Sequence, residues 1–173
     1  MADRLGHHNL SCRRDPGRLP RHAALNDVVF RALGAAGVVA VLEPRGLDSG
    51  DGRRPDGITI FPFRRGRMLV WDATCVSTFS SSHLLECATR AGAAARTAED
   101  RKRLRYADLS QRYDFVPLAV ETTGVLGAAF TNLIQDIGRR ITQRTGEKRE
   151  TAWLRQRVSL AVVRGNTAAL CQL

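Results

Sequence analysis

The stretch RPDGITIFPFRRGRMLVWDAT, Arg54 to Thr74, decides how this chain folds. Gly57 to Phe63 is rich in β-forming residues, and Arg64 to Arg67 holds a turn glycine. Met68 to Val76 is apolar at alternate and intervening positions alike, except at Asp72 and Thr74, which is the pattern of a central strand. Strand, turn and strand predict an antiparallel hairpin with a longer loop. Along the second strand Met68, Val70, Asp72 and Thr74 share a face. An aspartate among Val, Trp and Ala is costly to bury unless it is paired, protonated or bound to a metal. Asp56 opens the neighbouring strand, so ordinary hairpin pairing brings it toward Asp72. Two such carboxylates suit Mg2+, which takes a few carboxylates and keeps waters and phosphate as its other ligands. Pro-Asp-Gly is also a good turn signal in its own right.

The rest of the chain follows from this hairpin. Before it, Leu25, Val28, Val29, Ala32, Leu33 and Ala36 fall on one face of a helix over 21–36, which Gly37 stops. Val38 to Leu42 is a short apolar strand, and 43–55 is a loop. After it, 81–109 reads as one long helix, with Ala91, Ala95 and Ala98 as a small-residue stripe for packing on a sheet. Phe115 to Val120 is a further strand, in which Pro117 signals an edge or a bulge. Leu126, Ala129, Phe130, Leu133, Ile134, Ile137 and Ile141 form the clearest amphipathic helix, and a last helix runs over 151–163, with Gly165 as its stop. The element order is α, β, β, β, α, β, α, α. Residues 1–20 read as an irregular basic arm ahead of a single domain over 21–173.

With 173 residues there is length for one domain and one core. The balance of 27 Lys and Arg against 17 Asp and Glu gives a net charge of +10, which points to a polyanion, nucleic acid before membrane surface. Four scattered cysteines without a C-x-x-C pair argue against a disulfide scaffold. There is no apolar leader and no apolar run of ~18 residues, so neither secretion nor a membrane span is expected. Nucleotide-binding glycine loops, H-E-x-x-H and G-x-S-x-G are absent.

Around the aspartates, a lysine two residues after Asp72 would complete a phosphodiester-cleaving set, but Thr74 stands there. Counted at about 100° per residue, Lys102 continues the Ala91, Ala95, Ala98 stripe, so its ammonium would reach the strand carboxylates. The plainer reading is a lysine with a buried stem and a solvated head. Glu43 and Glu121 end strands and are candidate further carboxylates. Arg139, Arg140, Arg144, Lys148, Arg149, Arg155 and Arg157, with Arg164, give the last third an excess of six positive charges, suited to gripping phosphates without reading sequence. His8 and Cys12 have the spacing of half a zinc site. His22 and His83 read as ordinary histidines.

The runs GHHNLSCRRDPGRLPRHAALNDVVFRAL, LEPRGLDSGDGRRPDGITIFPF, LVWDATCVSTF, AEDRKRLRYADLS, FVPLAVETTG and RTGEKRETAWLRQRVSLAVVRGN together carry a likeness across nearly the whole chain. They resemble the C-terminal tails of reverse-transcriptase proteins of animal non-LTR retrotransposons. Those tails are similar to members of the PD-(D/E)xK, restriction-endonuclease-like superfamily. The resemblance implies an α/β fold, with an αβββαβ core and extra C-terminal helices. It implies a Mg2+-dependent DNA endonuclease, with Mn2+ as a substitute, derived from a retroelement. Asp56 matches the aspartate of the PD motif and Asp72 the acid of the (D/E)xK motif. Thr74 departs from its lysine. In that superfamily the lysine can move to the following helix, where Lys102 sits, and Arg105 replaces a second lysine before Tyr106. His8 and Cys12 would be the remnant of a zinc-binding unit, with no zinc expected in this chain. The implied partner is the DNA backbone, and the implied location intracellular, and nuclear for an enzyme acting on DNA. A catalytically dead nucleic-acid-binding module of the same fold, and a non-functional transposon-derived fragment, are the rival readings.

Overall fold

A computed structural model describes residues 18–47 and 54–170. The arm over 1–17, with His8 and Cys12, lies outside the described residues. The protein is a mixed α/β structure: a four-stranded sheet and, among the described residues, six helices. They run in the order α1 (Arg18–Ala35), β1 (Ala40–Leu42), β2 (Gly57–Thr59), β3 (Leu69–Val76), α2 (Leu84–Thr89), α3 (Ala93–Arg105), α4 (Ala107–Arg112), β4 (Asp114–Glu121), α5 (Ala128–Thr145) and α6 (Glu150–Leu170). The sheet order is β1-β2-β3-β4. The first three strands pair antiparallel, whereas β3 and β4 run parallel, with α2 to α4 making the crossover. None of the helices is long and apolar enough to cross a membrane.

Strand parity divides the molecule into layers. Leu69, Trp71 and Ala73 of β3 face one side and join Val116, Leu118 and Val120 of β4 in the main core. Helices α1, α5 and α6 close that side with Leu25, Val29 and Leu33, with Phe130, Leu133, Ile134 and Ile137, and with Leu154, Val158 and Val162. Val70 faces the other side, against Tyr106 and Leu109. Ala119 faces that side too, against Ala95 and Ala98 of α3. Asp72 therefore points toward α3, in the layer opposite the indole next to it.

Four elements differ from the sequence reading, each for a local reason. Strand β2 stops at Thr59 instead of Phe63, because Pro62 has no N–H for the ladder and the Thr59 hydroxyl turns back to the Phe61 carbonyl at 2.8 Å. The single helix over 81–109 is three helices, broken at 90–92 and again at Tyr106. Ala91 thus lies outside α3 and is exposed, so the buried stripe begins later, at Ala95. Helix α1 starts at Arg18, inside the expected arm. Helix α6 runs through Gly165, which is buried in mid-helix. A Cβ there would stand 1.8 Å from Arg21 Cγ, so this glycine is the place where α1 and α6 approach each other and not a stop.

Pro117 lies on β4, an edge strand of the sheet. Ala119 accepts from Gly127 N–H at 2.9 Å, and Glu121 N–H donates to Val125 at 2.8 Å, so these two residues turn their backbone groups away from β3. Pro117 shares their parity, and its missing N–H costs the β3–β4 ladder nothing.

Gly57 is opposite Trp71 across the β2–β3 ladder. A Cβ at Gly57 would come within 2.1 Å of the fully buried indole. Gly57→Ala is therefore expected to destabilise the fold by about 1–3 kcal/mol, the usual cost of overpacking a filled core. Urea denaturation monitored by Trp fluorescence measures it; an unchanged midpoint would show that the ring has room to move.

Candidate metal-binding cleft

The site forms where β2 begins. Asp56, immediately before the first residue of β2, donates its N–H to the Trp71 carbonyl at 2.9 Å. The next N–H of β3, that of Ala73, would then lack a partner, and the Asp56 side chain takes it at 2.6 Å. The carboxylate thus replaces a strand. His22, from the first turns of α1, meets the same oxygen through Nε2 at 3.0 Å. From the opposite layer Lys102 of α3 reaches Asp72, Nζ to Oδ1, at 2.6 Å. The helical count placed Lys102 on this face, and its ammonium points at the carboxylate.

Glu43, Arg54, Asp56, Asp72, Lys102 and Tyr106 line a cleft of about 370 Å3, with Arg105 beside them. The Tyr106 hydroxyl donates to the Arg54 carbonyl at 3.1 Å, closing the far wall. Glu43 sits on the rim, 71% exposed and paired with Arg54 at 2.6 Å.

One ligand atom each of His22, Asp56 and Asp72 lies within 4.8 Å of the other two. Two oxygens bound to one Mg2+ at ~2.1 Å stand up to ~4 Å apart, a separation of the same order. The group could hold a metal, and nothing in it identifies which one.

Glu121 is not part of this cleft. It pairs with Val76, four residues beyond Asp72 along β3, which is roughly 13 Å of strand. Its buried carboxylate accepts from Ala95 N–H at 3.2 Å in the first turn of α3, and from the Thr123 hydroxyl at 3.3 Å. It caps a helix that has no side-chain N-cap of its own. Nor do the seven basic residues of the last third line the cleft. Arg140 packs over the Phe63 ring at 4.4 Å, Arg149 over Trp153 at 4.9 Å, and Arg139 pairs with Asp136. Arg144 lies over Gly37, Arg157 lines a groove between α1 and α6, and Lys148 and Arg155 are exposed. Sequence reasoning missed His22 and Tyr106.

The carboxyl pKa values of the two aspartates are shifted in opposite directions. Burial pushes Asp56 up, but the hydrogen bonds from His22 and from Ala73 N–H outweigh it, and its carboxyl is held below its ordinary value. The bond to Asp56 is the main reason the His22 imidazole is held above its ordinary value. Burial raises Asp72 above its ordinary value, and the Asp56 charge adds to this; Lys102 offsets only part of it. Tyr106 is raised as well, by burial first and then by Asp72.

A comparison with protein-family models returned no match, and a comparison with curated proteins returned none either.

These directions set opposite signs for stability. A depressed carboxyl stabilises the fold above its unfolded pKa of about 3.9, and that contribution disappears as pH falls through the lower folded value. A raised carboxyl costs stability once pH exceeds the unfolded value, with the full cost above the folded one. Asp56→Asn is thus expected to lower Tm at pH 7 and to matter less as pH drops below 4. Asp72→Asn is expected to leave Tm unchanged or raised at pH 7, with its advantage shrinking toward pH 4. Thermal melts of both variants from pH 3 to 8 measure this; equal losses at pH 7 would contradict the assignment.

Proposed function

We propose that this protein is a metal-dependent phosphodiesterase domain of the restriction-endonuclease-like kind, derived from a retroelement and acting on DNA. The observation that carries the reading is the convergence of Asp56, Asp72 and Lys102 in one solvent-open cleft, from just before one strand, the middle of the next and the helix across from them. Asp56 and Asp72 would hold a divalent cation, Mg2+ or Mn2+. Bound there, the cation supplies positive charge to the phosphate and a more acidic water.

The chain's own groups do the rest. Lys102 leaves Asp72 a second oxygen for the cation and carries a charge that can orient a water or meet charge developing on the phosphate. Thr74, in the position two residues after Asp72, needs no such role, because the α3 ammonium arrives from the other layer. Arg54 and Arg105 line the same cleft and would meet an incoming phosphate diester. The wider excess of positive charge draws the polyanion without reading its sequence. Nuclear action belongs to this reading, since its substrate is DNA.

Nicking of supercoiled plasmid in Mg2+ or Mn2+ tests it. The wild type is expected to convert supercoiled to open-circle DNA, and Asp72→Ala to lower that rate about 100-fold or more. Absence of nicking, or equal nicking by Asp72→Ala, would overturn the enzyme; DNA binding that survives and weakens steeply with salt would then leave a binding module.

A further inference from the structure

His22 has the position of a third metal ligand, but its neighbours give it a different task. Trp71 Nε1 can only donate, and it donates to Asn26 Oδ1 at 3.1 Å inside the core. That bond fixes which way the Asn26 amide lies, so its Nδ2 faces His22 Nδ1, 3.4 Å away. An amide nitrogen is a donor, hence Nδ1 must accept. The ring proton is left on Nε2, the atom that meets Asp56 Oδ2 at 3.0 Å. The same proton stays on Nε2 if the ring is charged, since both nitrogens then carry one. In either state the lone pair that a cation would need is in use.

A second observation agrees. His22 does not line the cleft that Asp56 and Asp72 share; it stands behind Asp56, on the α1 side of the sheet. We infer that His22 is a positioning residue and not a ligand: the Trp71–Asn26 pair sets its tautomer, its Nε2–H holds one Asp56 oxygen, and a cation in the cleft is held by protein oxygens alone. This rests on the reading of Asp56 and Asp72 as a cation site only for its last clause. Hydrogen bonds from outside a coordination sphere orient a ligand and tune its charge. An all-oxygen set selects hard cations over those that favour imidazole.

The tautomer can be read directly. In 15N-labelled full-length protein, long-range 1H–15N correlation spectra separate the two imidazole nitrogens, and His22→Gln assigns the signal among the four histidines. At a pH where the ring is neutral, the expected result is the Nε2–H form, retained when Mg2+ is added. Asn26→Asp, which offers Nδ1 an acceptor, is expected to reverse it to Nδ1–H. An Nδ1–H ring in the wild type, or conversion to it on adding Mg2+, would overturn the inference; so would an Asn26→Asp ring that keeps Nε2–H. Should the spectra show no Mg2+ binding at all, the phosphodiesterase reading falls, while the wild-type and Asn26→Asp tautomers still decide the role of His22.

Discussion

The contact between Trp71 and Gly57 organises the rest of the structure. The indole fills the α1 side of the sheet and is fully buried, and only a glycine opposite leaves it room. Once Trp71 faces α1, strand geometry turns Asp72 toward α3. Once Gly57 is registered against Trp71, Asp56 falls just before the start of β2, where antiparallel β3 runs on without it. The indole N–H then fixes Asn26, and through it the ring of His22. Packing and chemistry here are consequences of one register, not separate features.

The site is also where the fold accepts a cost. Asp72 is buried with a single cation for company, and burial disfavours its charge more than Lys102 restores it. Asp56, one strand away, is satisfied by a backbone N–H and an imidazole and prefers to be ionised. The two carboxyls of one cleft are thus pushed apart, one by its hydrogen bonds and the other by burial. Glu99 and Glu121 make the contrast. Both are buried, and both accept backbone N–H groups at the start of a helix, Glu99 at Ala129 and Glu121 at Ala95. They are structural carboxylates, and they lie outside the cleft.

How much of this was legible follows from the range of each interaction. Asp56 and Asp72 could be paired on paper because one hairpin joins them and strand parity is strict. Lys102 could be placed because helical periodicity carries a face across several turns; the break at 90–92 shortened the stripe without rotating the turns that hold Ala95, Ala98 and Lys102. Glu121 was misjudged because a strand end looks alike in sequence whether it meets a cleft or a helix N-terminus. Gly165 was misjudged for a similar reason: a stop and a close approach both require a missing side chain. His22 gave little signal, since Asp56, its partner through Nε2, comes from far along the chain, just before β2. Only the Asn26 spacing of four, one helical turn away, was there to be noticed.

The parity of Pro117 has a consequence for how copies of this chain can associate. A sheet with free edges invites a second chain to add a strand, and this is a common route to aggregation. Here one edge is β4, where Pro117 withholds a donor from any incoming strand and the segment around Val125 to Gly127 already occupies the stretch beyond it. The other is β1, three residues long. Among the described residues the sheet has four strands, and neither of its edges offers a long unbroken row of backbone groups to an incoming strand.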